Sequence, residues 1–310
     1  MSIENPENKT FLQTIFPALV VFVLLGGVLV YGFMRISVLT TNVNSLTTEL
    51  ASTTAVLSQN TKLLSQNITD LGTQAVGLSN AQQNINAVTT QVGGVEQTVG
   101  SISGTVGTLQ KLSQTDPELL KKYSKVYFLN ENYTPAHLTS IPNTYLYSEL
   151  RPEQSLTESW SFLQNLLESA KASGVKLYVD SAYRSFAEQQ SLKNTYTVVF
   201  GAGTANSFSA DQGYSEHQLG TALDFITTGL GGQLTGFDNT QAYQWLLMNA
   251  YRYGFELSYP KGNSYYIYEP WHWRFVGIKL ATYLHNNNLN FYDMDQRTID
   301  TYLANTFDLQ

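Results

Sequence analysis

Residues 215–224 read Ser-Glu-His-Gln-Leu-Gly-Thr-Ala-Leu-Asp, and residues 269–274 read Glu-Pro-Trp-His-Trp-Arg. The first stretch has the form S-x-H-x-x-G-x-A-x-D and the second the form E-x-x-H. His217, Asp224 and His272 are two imidazoles and a carboxylate, the donor set of a catalytic zinc that keeps a fourth position open. A turn feeding a strand can bring His217 and Asp224 to one ion, and Gly220 between them permits the tight backbone path. Glu269 stands three residues before His272, where a base for water activation is useful. The E-x-x-H spacing does not by itself force the two side chains onto one face of a strand. Trp271 and Trp273 flank His272 and are expected to fix its orientation.

Working outward, the pattern from 116 to 310 alternates helix and strand signals. Glu153 to Ala172 reads as an amphipathic helix with Trp160, Leu163, Leu166 and Leu167 toward a core. Val175 to Val179 alternates as a strand. Ser185 to Tyr196 reads as a helix with Ser185 as N-cap, and Phe200 to Gly213 as a loop that can order over a site on binding. Thr221 to Ile226 is an expected strand, Thr240 to Tyr253 a helix closed by Gly254, and Phe255 to Tyr259 a strand. Tyr265 to Trp273 reads as another strand and Phe275 to Asn286 as a helix. This order predicts an α+β domain, a small antiparallel sheet with flanking helices. Arg184 follows a strand at the mouth of a turn, where its guanidinium can hold a carboxylate or an oxyanion.

Three motifs in order, Ser181-Ala182-Tyr183-Arg184-Ser185, Ser215 to Asp224 and Glu269 to Arg274, resemble the VanY-type D-alanyl-D-alanine carboxypeptidases of the LAS zinc peptidases. The resemblance covers about Lys125 to His285. It implies His217, Asp224 and His272 as zinc ligands, Glu269 as general base and Arg184 as the anion-binding catalytic arginine. It also offers Ser215 and Gln189 for the substrate carboxylate or stem peptide, and Glu216 as a neighbour supporting the ligands. Tyr266 and Tyr268 precede the base and are candidates for lining the cleft. His137 and His285 belong to no motif and read as structural.

Residues Phe11 to Met34 form an uncharged, largely apolar run of 24 between Lys9 and Arg35. About 20 residues suffice to cross a bilayer core as a helix. The run is longer than a signal-peptide core and no A-x-A site follows it, so it reads as an uncleaved signal anchor. One Lys before and one Arg after leave the positive-inside rule nearly mute. Beyond it, aliphatic residues recur every seven positions at Ile36, Val43, Leu50, Leu57, Leu64, Leu71, Leu78, Ile85, Val92, Val99 and Val106. Such a repeat predicts a left-handed coiled coil. The matching d positions include Asn60, Asn67 and Gln74, which weaken the seam but can set register and oligomer state. A trimer is favoured over a dimer. Gly93, Gly94, Gly100, Gly104 and Gly107 lower helix propensity and are expected to fray the distal third. Asp116-Pro117 is the expected end of the stalk.

The organisation expected for the 310 residues is thus a tail at 1–10, an anchor at 11–34, a stalk at 35–115 and a zinc carboxypeptidase domain with a helical extension at 116–310. The net charge of -7 argues against a nucleic-acid partner, which needs clustered cations. The chain has no Cys, so disulfides and Cys-type metal sites are excluded. The leading expectation is a membrane-anchored, extracytoplasmic zinc carboxypeptidase that removes D-alanine from peptidoglycan stem peptides. L,D-specificity, endopeptidase activity or a non-catalytic wall-binding module are the alternatives.

Overall fold

The computed structural model describes residues 7–123, 128–148, 151–201 and 210–309. Its chain forms two compact units, Met1–Gln97 and Thr98–Gln310. Most of the loop expected at Phe200 to Gly213, residues 202–209, lies outside the described residues.

The first unit is part of one α-helix, α1 (Glu7–Gln114). Side chains 15–34 are apolar and almost all exposed. At 1.5 Å per residue those twenty positions rise about 30 Å, the thickness of a hydrocarbon core. The seven-residue seam beyond them is exposed along its length, as at Ile36, Leu50, Leu64 and Ile85. The helix does not fray at the glycines; it runs unbroken through Gly93 to Gly107. Threonines fit because hydroxyls such as those of Thr61, Thr89 and Thr108 donate to the carbonyl four residues back.

In the second unit, Asp116 ends the helical run by capping a 3-10 turn, Pro117–Leu120. Two short strands, β1 (Leu138–Ser140) and β2 (Gln154–Leu156), pair antiparallel. Helix α2 (Trp160–Ala172) is shorter than the pattern suggested, because 154–159 is spent on β2 and a 3-10 turn. Its Phe162, Leu163, Leu166, Leu167 and Ala170 are buried, and Trp160 is half-buried at the edge. The strand expected at Val175 is β3 (Tyr178–Ser181), with Val175 and Leu177 buried ahead of it. Helix α3 (Phe186–Phe200) starts at Ser185, whose hydroxyl accepts from the Glu188 N–H while the Glu188 carboxylate accepts from the Ser185 N–H. That reciprocal cap is why the helix begins there.

The main sheet is antiparallel, in the order β3, β4 (Ala222–Ile226), β6 (His272–Phe275), β5 (Phe255–Leu257). Helix α4 (Gln241–Asn249) leads through a 3-10 turn and Gly254 into β5. The strand expected over Tyr265 to Trp273 is not formed. Residues 265–271 are loop, and β6 begins at His272, displacing the next helix to α5 (Ile278–Asn287). Pro270 has no N–H to give a ladder, and the alternating tyrosines before it pack as separate rings. A last short helix, α6 (Gln296–Asp300), buries Ile299.

The sheet's alternation separates two chemistries. Leu223, Phe225, Trp273, Phe275 and Phe255 share the core with α2 and α4. The intervening positions Asp224, His272, Arg274 and Glu256 are also buried, although polar. A second apolar cluster covers part of this face, with Tyr259 on His272 and Phe291 against Arg274. A polar sheet face hidden in this way has to satisfy its charges internally.

Candidate metal centre and cleft

Register sets the first pair. Asp224 on β4 lies directly opposite His272 on β6, and opposite residues of an antiparallel pair have adjacent side chains. His217 comes from the 3-10 turn Glu216–Leu219, which closes on Gly220 in the left-handed region at φ 70°. A Cβ there would also come within 3.2 Å of the Leu156 N, so glycine is needed both for the turn and for the neighbouring β2 backbone. The next residues enter β4 and present Asp224. The donor atoms of His217, Asp224 and His272 lie within 4.8 Å of one another, and all three residues are buried.

Hydrogen bonds decide which ring nitrogen faces inward. His217 Nδ1 is 2.7 Å from the Ala182 carbonyl, which only accepts. The proton is therefore on Nδ1, and the Nε2 lone pair faces Asp224 Oδ2 at 3.3 Å. His272 has the opposite arrangement. Its Nε2 donates to Glu216 Oε2 at 3.0 Å, leaving Nδ1 toward Asp224 Oδ1 at 3.2 Å. An imidazole oriented by a carboxylate or carbonyl on its far nitrogen is the usual support of a metal-binding histidine. Tyr259 stacks flat on the His272 ring at 4.0 Å. The Trp273 indole N–H donates to the Pro270 carbonyl.

The electrostatics favour a cation. Burial alone would raise the Asp224 carboxyl, but the two imidazoles that face it hold it well below the usual range. Burial depresses His217, partly opposed by Asp224. For His272 burial also pulls down, but hydrogen bonds to Asp224 and Glu216 push it up to about 10. Two buried carboxylates thus draw a positive charge to this point. Two imidazoles and a carboxylate, oriented from outside and in a negative potential, fit a divalent metal of the zinc kind.

Glu269, the expected base, is at the same spot. Its Oε2 is 3.9 Å from His272 Nδ1, and its side chain is 14% exposed. Burial, with the charge of Asp224, pushes its carboxyl up to about 7. Arg184 follows β3. Its Nη1 donates to Gln189 Oε1 at 2.9 Å and its Nη2 to Ser181 Oγ at 2.7 Å, which fix the plane of the fork. Gln189 spends its amide N–H on the Ala210 carbonyl. Its amide is thus engaged in holding Arg184.

A cleft of about 510 Å³ is lined by His217, Asp224, His272, Glu269, Arg184, Gln189 and Ser215, together with Asp180, Tyr259, Trp271 and the 232–235 turn. A separate cavity of about 380 Å³ under the end of α1 lies away from these groups. Tyr266 and Tyr268 are not among the residues lining the cleft. Tyr266 stacks on Tyr259 and donates to the Tyr214 carbonyl. Tyr268 lies under Lys261 and 3.3 Å from the Tyr243 hydroxyl. Outside the cleft, His137 pairs with Glu158 and His285 stacks on Tyr251.

Among the supporting groups, Glu216 was expected beside the ligands, whereas Glu153 and Tyr292 went unread in the sequence. Glu216 is fully buried and takes four partners: His272, Ser258, Arg274 and Tyr292. Glu153 accepts from the Ala182 N–H, the residue whose carbonyl orients His217. Tyr292 lies in the C-terminal extension, for which the sequence offered no role. The Arg274 of E-x-x-H-x-R, two strand positions from His272 and so on its face, was the available signal.

A family model described as VanY, D-alanyl-D-alanine carboxypeptidase, matches residues 154–278. YodJ of Bacillus subtilis is 33% identical over 181 residues, 57% of this chain and 66% of that one. The D-alanyl-D-alanine carboxypeptidase of Enterococcus faecalis is 36% identical over 140 residues, 41% of this chain and 50% of that one. The chain therefore spans less than two thirds of the length of these curated relatives. Among solved structures, the LdcB LD-carboxypeptidase is 33% identical with a TM-score of 0.53, covering 57% of this chain and 85% of that one.

Proposed function

The chain belongs to the VanY D-alanyl-D-alanine carboxypeptidase family, and from that premise we propose that it is a zinc carboxypeptidase that removes the terminal D-alanine from peptidoglycan stem peptides. The observation that carries the reading is the buried His217–Asp224–His272 group with Glu269 beside it and Arg184 in the same cleft. His217 Nε2, Asp224 and His272 Nδ1 would hold the zinc, which when bound supplies a Lewis acid for the scissile carbonyl and activates water.

The rest of the chemistry belongs to the protein. Burial raises the Glu269 carboxyl above the usual carboxylate range, which suits a group that both takes and returns a proton. In this reading its carboxylate removes a proton from the attacking water and delivers it to the leaving amine. Arg184, its fork held by Gln189 and Ser181, presents its remaining N–H groups to an anionic oxygen of the substrate, the terminal carboxylate or the oxyanion formed on attack. Ser215 is a further polar contact at the cleft wall. Half-buried Trp271 and buried Tyr259 restrict water around the reacting bond.

The apolar start of α1 is proposed as a single membrane anchor, with the peptidase outside the cytoplasmic membrane. The seven-residue seam beyond it is proposed as a parallel homo-oligomeric coiled coil, with a trimer favoured by Asn60 and Asn67. An aliphatic stripe exposed along some 70 residues needs a partner, and copies anchored at the same end can pair only in parallel.

Mass spectrometry of synthetic stem peptides incubated with the zinc-loaded full chain tests the activity. Loss of one D-alanine from a pentapeptide is the expected result. Loss from a tetrapeptide alone would instead assign L,D-carboxypeptidase activity, and no cleavage of either by zinc-loaded protein would remove the carboxypeptidase reading.

A further inference from the structure

The segment that leaves α1 reaches the metal centre through three buried links. Asp116 Oδ1 accepts from the Glu118 N–H at 2.9 Å, and its Oδ2 accepts from the Tyr133 hydroxyl. This cap sets the 3-10 turn Pro117–Leu120, and the turn aims two carbonyls inward. Arg274 Nη2 donates to Leu119 O at 2.7 Å and to Lys121 O at 3.1 Å. Its other tip, Nη1, donates to Glu216 Oε1 at 2.6 Å. Glu216 Oε2 then accepts from His272 Nε2. Arg274 is fully buried, with its guanidinium 4.5 Å above the Phe291 ring and 5.5 Å from Tyr123.

A guanidinium is a rigid planar fork. With one tip on the Leu119 and Lys121 carbonyls and the other on Glu216, a shift of the carbonyls rotates the fork and moves the carboxylate. That carboxylate sets which nitrogen of His272 carries the proton and where Nδ1 points. We infer that the junction Asp116–Lys121 is a positioning element of the metal centre, acting through Arg274 and Glu216 on the His272 ring. This rests on the proposed metal reading. It adds that a segment outside the motif region, before residue 154, helps determine metal affinity.

The test uses full-length protein carrying Asp116→Ala or Asp116→Asn. Zinc affinity is measured by competition with a chromogenic chelator, the ligand geometry by the absorption spectrum of the cobalt(II)-substituted protein, and folding by circular dichroism. Loss of a group supporting a metal ligand costs about 10–100-fold in metal affinity. Asp116→Ala is expected to fall near the low end, about tenfold, with a changed cobalt spectrum. Asp116→Asn retains the oxygen that caps Glu118 and should recover most of the affinity. Tyr133→Phe, which removes one contact to Asp116, is the milder variant should Asp116→Ala not fold, with an expected loss of roughly threefold. Folded Asp116→Ala with wild-type zinc affinity and cobalt spectrum would overturn the inference. So would an Asn variant as weak as the Ala variant, which would indicate a charge effect rather than the cap, or wild-type protein that takes no zinc. Hydrolysis is read separately. Zinc losses as expected with no peptide cleaved would remove the proposed activity and leave the junction's role standing.

Discussion

Two buried glutamates on the same side of the sheet meet different fates. Glu216 is surrounded by donors and, although burial alone would raise it, the charge of Arg274 and the hydrogen bond from His272 hold it well below the usual carboxylate range. Glu256, opposite Arg274 in the register, has an oxygen without a hydrogen-bond partner, and burial with the charge of Glu216 pushes it up to about 8. Folded protein therefore keeps a proton on Glu256 that the unfolded chain releases near pH 4.3. Stability then falls as pH rises through the window from about 4.3 to 8, by at most about 1.4 kcal/mol per pH unit from this group, and levels off above it. Glu256→Gln abolishes that slope, so its urea midpoint should gain on the wild type between pH 5 and 8; parallel curves would refute the assignment. For Glu269→Gln, hydrolysis should fall about 10²–10⁴-fold with zinc content unchanged. Near wild-type turnover in that variant would mean that another group is the base.

At the scale of elements, glycine sets the approach of α5 and the C-terminal extension. Gly277, at φ 86°, precedes α5, and a Cβ there would stand 2.6 Å from the Thr306 carbonyl oxygen. Gly277→Ala is expected to cost about 1–3 kcal/mol from the backbone conformation alone, read as a Tm lowered by roughly 2–4 °C per kcal/mol for a unit of this size. An unchanged Tm would show that Ala takes this backbone conformation without that cost and that the Thr306 segment yields to its Cβ. These elements also mark what a sequence can disclose. The N-cap of α3 and the stop at Gly254, which closes the 3-10 turn after α4, were legible, because capping chemistry is local. The antiparallel pairing of Asp224 with His272 was legible only as a motif, since their opposition is made by register across 48 residues. The tyrosine-rich run 265–271 alternates like a strand but packs as rings, so periodicity misled there. Glu216 was legible only as a neighbour of the ligands; its partners Arg274 and Tyr292 stayed hidden because hydrophobic patterns do not report which charges will be buried together.

For the whole molecule, α1 presents a long apolar seam that no described residue of the same chain covers. Paired Leu57→Asn and Leu64→Asn substitutions, both at seam positions, should lower the mass of the detergent-solubilised particle, measured by light scattering, toward that of one chain. A mass equal to one chain in the wild type would remove the coiled-coil proposal. The second unit closes its metal centre with residues far apart along the chain: Arg274 lies 58 positions after Glu216 and Tyr292 lies 76 after it. At translation speeds of about 5–20 residues per second, Glu216 is synthesised roughly 4–15 s before Tyr292 exists to meet it. The centre is thus a late product of synthesis, and until Tyr292 emerges the nascent chain carries no closed site to bind a metal.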